Sequence, residues 1–410
     1  QENCDCIYFP NVFQYDLPVV GALIAPRPFK ILGALRDGSF PPAGYHEAFQ
    51  RTRRFYEIQG IADKVSLFEY DTVHEDAVPF RKEADEWINR WIKQDSTPFE
   101  EGEIERESPE DLAVLDSPPA DPLNGQIHKK FIKTAEMRPW KTLEAWNHRR
   151  AELIAEIKDK VLRGFPPTKA PFDIWKSPEG GWTARYAASF HVEFTTEEGI
   201  RVNGELFVPK GGHSSYPALI YIKGADDVIY PVDYDPLLPV FTSHVVLVLQ
   251  PRLVDYPGIT NYKMSNIKMS AALIGTTVES MQLWDLLRSV DYLIEGEGLK
   301  LSGISVYGRR QMGALALYAA ALDPRITRVI LDDPPSSHWQ GPALLNILRI
   351  TDLPEVAGML APREIVSLTS VPEVYTYTSS IYRLHGKKGS IRRAGDLGEG
   401  VHVWMHGRAQ

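Results

Sequence analysis

The chain has 410 residues, 43% of them hydrophobic and 24% charged, which fits a soluble globular protein of two domains or one large α/β domain with additions. Its 45 basic residues against 54 acidic ones leave a formal charge of −9, so a general polyanion-binding role is disfavoured and no nucleic-acid partner is expected. No apolar run approaches the length of a membrane span, so no membrane partner is expected either.

Cys4 and Cys6 are the two cysteines. A Cys-x-Cys pair cannot supply four metal ligands, and they read as ordinary thiols. No metal and no cofactor are expected. The chain opens Gln-Glu-Asn-Cys without an initiator Met or a signal peptide, so residue 1 follows a cleavage site or the chain is a piece of something longer. A secreted or periplasmic location is slightly favoured, and a homo-oligomer is allowed.

In chain order, Phe29–Ala34 reads as a buried strand bounded by Pro28 and Asp37-Gly38. Residues 45–60 read as a helix ending at Gly60, and Val65–Tyr70 as a second strand. Residues 78–94 suit an amphipathic helix with Trp87, Ile88, Trp91 and Ile92 on one face. Residues 95–125 are acidic and broken by five prolines, the composition of a linker or surface-hugging segment. A long helix is predicted over 141–163, with Leu143, Trp146, Leu153, Ile154, Ile157 and Val161 near helical spacing. Tyr186–Thr195 and Arg201–Val208 suit a β-hairpin. Ala218–Ile222 and Val245–Leu249 are continuous apolar strands, the type found in a parallel sheet covered on both faces. Helix 283–294, strand 303–307, helix 315–322 and strands 329–331 and 365–368 follow. This alternation argues a doubly wound, mostly parallel α/β sheet.

One internal match reorganises the picture. Asp16-Leu17-Pro18-x-Val20 followed by Ala25-Pro26-Arg27 recurs, 336 residues later, as Asp352-Leu353-Pro354-x-Val356 followed by Ala361-Pro362-Arg363. A predicted strand follows each copy, which reads as an internal duplication. The expected organisation is therefore 1–94 as the tail of one unit, 95–179 as linker and helix, and 180–410 as most of a second unit.

The turn between strand 303–307 and the next helix reads Gly308-Arg309-Arg310-Gln311-Met312-Gly313-Ala314, continuing Leu315-Ala316-Leu317-Tyr318-Ala319-Ala320-Ala321-Leu322-Asp323-Pro324-Arg325-Ile326. It resembles the nucleophile elbow of acetyl-xylan-esterase-type α/β-hydrolases, G-x-S-Q-G-G-G followed by L-A-L-x-A-A-A-L-D-P-R-I. Gly308, Gln311 and the helix match. Arg310 stands at the serine position and Met312 at a glycine. An arginine stays protonated and cannot be a nucleophile, so Arg310 is either a relic of the elbow or a binder of an anionic group at the pocket floor.

The resemblance also places an acid after the penultimate strand and a histidine after the last, and Asp37 and His74 stand at those places in the first unit. An acid orienting a histidine that activates a hydroxyl is the logic of a catalytic triad. Lys223-Gly224-Ala225-Asp226-Asp227 falls where an oxyanion loop belongs. Ser336, Ser337 and His338, in a loop after a strand, are an alternative nucleophile and base. Glu373 is a second-unit acid candidate, with His402 or His406 as its histidine. The fold segments could also be one hydrolase in permuted order. Together these features imply a carboxyl-ester hydrolase acting on a small ester or acylated carbohydrate. The rival reading is a non-catalytic hydrolase-fold module that binds carbohydrate or supports a catalytic partner.

Overall fold

The computed structural model describes residues 10–103, 105–179, 187–211, 214–225, 227, 237–387, 389 and 391–402. Cys4, Cys6, Tyr186, Asp226 and His406 lie outside the described residues, as does the side chain of His402. Two compact units divide the chain, Gln1–Phe131 and Ile132–Gln410.

The smaller unit runs α1 (Leu17–Ile24), β1 (Phe29–Ala34), α2 (Pro42–Ile58), β2 (Val65–Tyr70), α3 (Val78–Ile88) and α4 (Ile127–Phe131). β1 and β2 form a parallel two-stranded sheet. Buried Tyr56, Val65 and Phe80 form its small core, and the Phe80 ring meets Phe68 and Tyr70 edge-on. The helix predicted over 78–94 is interrupted. A π-type turn over Asn89–Lys93 follows α3, and Ile88 and Ile92 emerge into solvent instead of sharing a buried face with the tryptophans.

The larger unit starts with α5 (Leu143–Lys160), within the long helix that the sequence pattern predicts over 141–163. Trp146, Leu153 and Ile157 of α5 are fully buried in the main core of this unit. Next come β3 (Trp175–Glu179), β4 (Ala187–Glu197), β5 (Ile200–Pro209), β6 (Tyr216–Ile222), α6 (Leu238–Phe241), β7 (Val245–Gln250), α7 (Asn261–Leu273), α8 (Val278–Asp291), β8 (Leu301–Arg309) and α9 (Arg310–Leu322). The unit ends with β9 (Ile326–Asp332), α10 (Leu353–Gly358), β10 (Glu364–Ser367), α11 (Thr376–Leu384), β11 (Ile391–Arg393) and α12 (Leu397–His402).

These strands make one nine-stranded sheet in the order β11-β10-β9-β8-β6-β7-β5-β4-β3. Neighbours from β11 to β7 are parallel, and β5, β4 and β3 join antiparallel. The central strands bury both faces. Ala218, Ile220 and Ile222 of β6 face one core with α5, α8 and α9, while Leu219 and Tyr221 face the other with Phe241, Leu397 and Val401. That is why β6 and β7 appear in the sequence as unbroken apolar runs. β1 and β2 pair with each other in a sheet of their own and with none of these nine strands.

The duplication is visible in hydrogen bonds. Asp16 and Asp352 each cap a helix by accepting from the next backbone N–H, of Leu17 at 2.9 Å and Leu353 at 2.8 Å. Thr52 and Thr378 donate to the carbonyls of Pro18 and Pro354. Tyr56 and Tyr382, both buried, donate to the carbonyls of Arg27 at 2.8 Å and Arg363 at 2.6 Å. The strand register matches too: Phe29 lies opposite Val65, and Ile365 opposite Ile391. The offset between copies is 336 residues at the first strand and 326 at the second. The second copy has therefore lost ten residues between strand and helix, which hides this half of the repeat from a fixed-offset comparison.

Candidate active site

Parallel strands send their following loops to the same end of the sheet. Asp37 follows β1 and His74 follows β2, so both reach the carboxyl end of the small sheet. His74 Nδ1 donates to Asp37 Oδ2 at 2.8 Å. The carboxylate is held from its other side: Asp37 Oδ1 accepts from the backbone N–H of Ser39 at 2.7 Å and of Phe40 at 3.1 Å. The Phe40 ring stacks on the imidazole, with centroids 5.7 Å apart and planes 18° apart. The Asp37 side chain is 8% exposed and that of His74 59%. Burial alone would raise the Asp37 pKa, but the bonds from His74, Ser39 and Phe40 outweigh it, and the carboxyl lies below its ordinary value. An ionised Asp37 accepts only, so the Nδ1 proton sits between them and Nε2 carries the basic lone pair.

A second cluster lies beside this pair. Glu69 accepts from Tyr45 Oη at 2.8 Å and bonds His46 Nε2 at 2.8 Å. Burial and Glu69 push the Tyr45 hydroxyl up to about 12. The sequence offers no motif for this cluster or for the backbone donors on Asp37. A G-S-F turn after the acid is the only hint of the latter.

In the larger unit, β8 turns sharply into α9. Arg310 has φ +46°, a left-handed conformation that an ordinary side chain adopts only at a cost. A Cβ on Gly308 would lie 2.5 Å from the Met312 carbonyl carbon and oxygen, and one on Gly313 would lie 2.9 Å from the Gly308 carbonyl oxygen. Both glycines are therefore needed for the sharp bend.

The polar groups around that bend are paired with one another. Arg309 Nη1 donates to Asp227 Oδ1 at 2.9 Å and its Nε to Asp332 Oδ2 at 3.0 Å. Asp227 Oδ2 also accepts the Gly224 N–H at 2.8 Å, so this backbone donor of the predicted oxyanion loop is committed to a carboxylate. The Met312 side chain comes within van der Waals distance of a Cβ position on Gly224. Arg310 pairs with Asp333 at 3.5 Å, both side chains being more than half exposed, and Gln311 is exposed.

Ser336 and His338 are not brought together. Ser336 Oγ donates to Gln340 Oε1 at 2.9 Å. His338 is buried, with Nδ1 bonded to the Pro342 carbonyl at 2.8 Å and Nε2 to Tyr318 Oη at 2.7 Å. Burial pushes its pKa down. Both ring nitrogens are spent on structure, and the adjacent Ser337 Oγ donates to Asp352 Oδ2 at 2.5 Å. Glu373 is exposed at the start of a short 3₁₀ turn.

No protein-family model matches this sequence, and no curated protein matches it. Solved structures do resemble it. A candidate acetyl xylan esterase from Bacteroides fragilis superposes with a TM-score of 0.51 at 14% identity, covering 70% of this chain and 86% of its own. The chain has the α/β-hydrolase fold. A second structure, described as a methylesterase, superposes with a TM-score of 0.50 at 13% identity over 62% of this chain and 60% of its own. Arg310 stands at the β8–α9 turn of the larger unit, and the described part of the smaller unit includes the same αβαβ order that closes the larger one.

Proposed function

We propose that this chain serves carboxyl-ester hydrolysis, with the smaller unit supplying an acid–histidine relay and the larger unit standing as a hydrolase-fold module without a nucleophile. The observation that carries the reading is the Asp37–His74 bond at the carboxyl ends of two parallel strands, with Asp37 anchored by two backbone N–H groups. In such a relay Nε2 of His74 takes the proton of an attacking hydroxyl, and Asp37 holds the imidazole in the required tautomer and stabilises the imidazolium that forms. The substrate class we assign is an acetylated or otherwise esterified plant polysaccharide, in keeping with the names of the structures the chain resembles.

The test is hydrolysis of a short-chain aryl acetate. His74→Ala should lower turnover by about a hundredfold or more, and a parent rate equal to that of the folded variant would remove the relay. Arg310→Ser should bring no comparable gain, because the Gly224 N–H is held by Asp227 and a bare serine without a base is a weak nucleophile. A gain of about a thousandfold would mean that the larger unit lacks only its serine.

A second reading rests on the filled elbow. With Met312 against Gly224 and Arg310 exposed, the larger unit suits carbohydrate binding, the guanidinium taking a uronate carboxylate. Binding of uronate-bearing oligosaccharide that survives Arg310→Ala unchanged would sink it.

A further inference from the structure

The antiparallel edge of the nine-stranded sheet holds a group of side chains that the ester chemistry does not use. On β4, His191 lies directly opposite Glu205 of β5, and on β3, Glu179 lies opposite Ser189, two residues from His191. Side chains two apart on a strand share a face, so three neighbouring strands present Glu179, His191 and Glu205 to one another. One ligand-capable atom from each lies within 4.8 Å of the other two. Glu205 Oε1 bonds His191 Nδ1 at 2.9 Å. Its other oxygen, Oε2, is buried and has no hydrogen-bond partner.

A buried carboxylate oxygen without a donor is costly, and here a second carboxylate stands beside it. Burial, reinforced by Glu179, pushes the Glu205 carboxyl up to about 7, while His191 acts against the shift. Nearby basic side chains are committed elsewhere. Lys176 pairs with Glu297 at 2.6 Å, and Arg201 with Asp173 at 2.5 Å and Glu193 at 3.5 Å. The cluster thus has two acids, one imidazole and a deficit of positive charge.

We propose that Glu179, His191 and Glu205 bind a divalent transition-metal cation of the zinc class, clasping the short strand β3 to the β4–β5 hairpin. An imidazole nitrogen and two carboxylate oxygens are a ligand set that zinc accepts, at about 2.0–2.2 Å each, with water completing the shell. Three atoms already within 4.8 Å need only side-chain rotation to close on such an ion. The cation satisfies the orphaned oxygen and cancels the repulsion between the two glutamates.

The test uses the whole chain, stripped with chelator and titrated calorimetrically with zinc chloride. At neutral pH one site should bind in the micromolar range or tighter, with a rise in Tm on loading. Binding should weaken at least about tenfold near pH 5, because the ligands must lose protons to bind. Glu205→Gln, which changes charge and hardly shape, should weaken binding by at least about tenfold, and His191→Ala, checked for folding by circular dichroism, should do the same. Zinc binding unchanged in folded Glu205→Gln protein would overturn the proposal. So would a parent chain that binds no zinc; a rise in Tm for Glu205→Gln would then show that the two glutamates share a proton and not a metal.

Discussion

Two substitutions two residues apart, Gly308→Ala and Arg310→Gly, separate the elbow as a shape from the elbow as a site. An alanine Cβ at 308 would sit 2.5 Å from the carbonyl carbon and oxygen of Met312 and 2.7 Å from the Gly313 nitrogen. All three are backbone atoms, so no rotamer change can make room, and the first turn of α9 has to move off β8. Overpacking of this kind costs about 1–3 kcal/mol. Glycine at 310 would instead release a side chain held at φ +46°, a relief of about 1–2 kcal/mol. Against that stand the extra freedom of glycine in the unfolded chain, about 0.5–1 kcal/mol, and the loss of exposed ion pairing, about 0–1 kcal/mol a pair. Arg310→Gly should therefore fall within about 1 kcal/mol of the parent, while Gly308→Ala falls clearly below it. A change of 1 kcal/mol moves the Tm of a domain this size by about 2–4 °C, which scanning calorimetry resolves. The reasoning fails if Gly308→Ala unfolds with the parent, or if Arg310→Gly loses more than about 2 kcal/mol; the latter would mean that Arg310 is held in place for its contacts.

Two further outcomes follow from the buried groups. The Asp37 pKa is depressed in the folded unit, so its contribution to stability is complete above about pH 4, where an unfolded aspartate is ionised, and is lost as pH falls through the lower folded value. Asp37→Asn should flatten this acid limb in urea midpoints measured from about pH 2 to 6, and an acid limb as steep as the parent's would show that other carboxyls cause it. Leu153→Ala, at a fully buried position of α5, should cost about 2–5 kcal/mol by leaving a cavity. A loss of only a few tenths of a kcal/mol in the larger unit's transition would remove α5 from that core.

The fold was most legible where both sheet faces are covered. β6, β7, β8 and β9 are apolar runs because each residue must suit one of two cores, and their neighbours in sequence are helices long enough to show a period. β3, β11, α10 and α12 have six residues or fewer, too short for any period to emerge. α7 escaped notice for another reason: its apolar and polar residues are spread around the helix, and only Ala271 is buried. α5 was legible as a helix from its apolar spacing, but an acidic, proline-rich neighbour says nothing about where a following helix packs. At the site, Asp37, His74 and the elbow could be placed because each follows a strand end. The Asp227–Arg309–Asp332 bridge could not, since its members come from one loop and the ends of two strands and a salt bridge leaves no spacing rule. The same holds for Glu179, His191 and Glu205, which meet only through strand register.

The two copies of the Asp-Leu-Pro segment sit in unlike surroundings. Every residue of α10 is buried, whereas in α1 only Pro18 and Gly21 are, and Leu17 and Leu23 stand mostly in solvent. Yet both keep the aspartate cap, the threonine tie and the tyrosine bolt to the strand. What preserves the segment is internal bonding, not the oil around it. Mutational drift should then run at different speeds in the two copies. Leu17 and Leu23 are open to polar replacement at little cost, Leu353 and Val356 are not, and Asp16, Thr52 and Tyr56 should outlast the apolar residues beside them. Sequences of close relatives, once compared position by position, would carry that asymmetry.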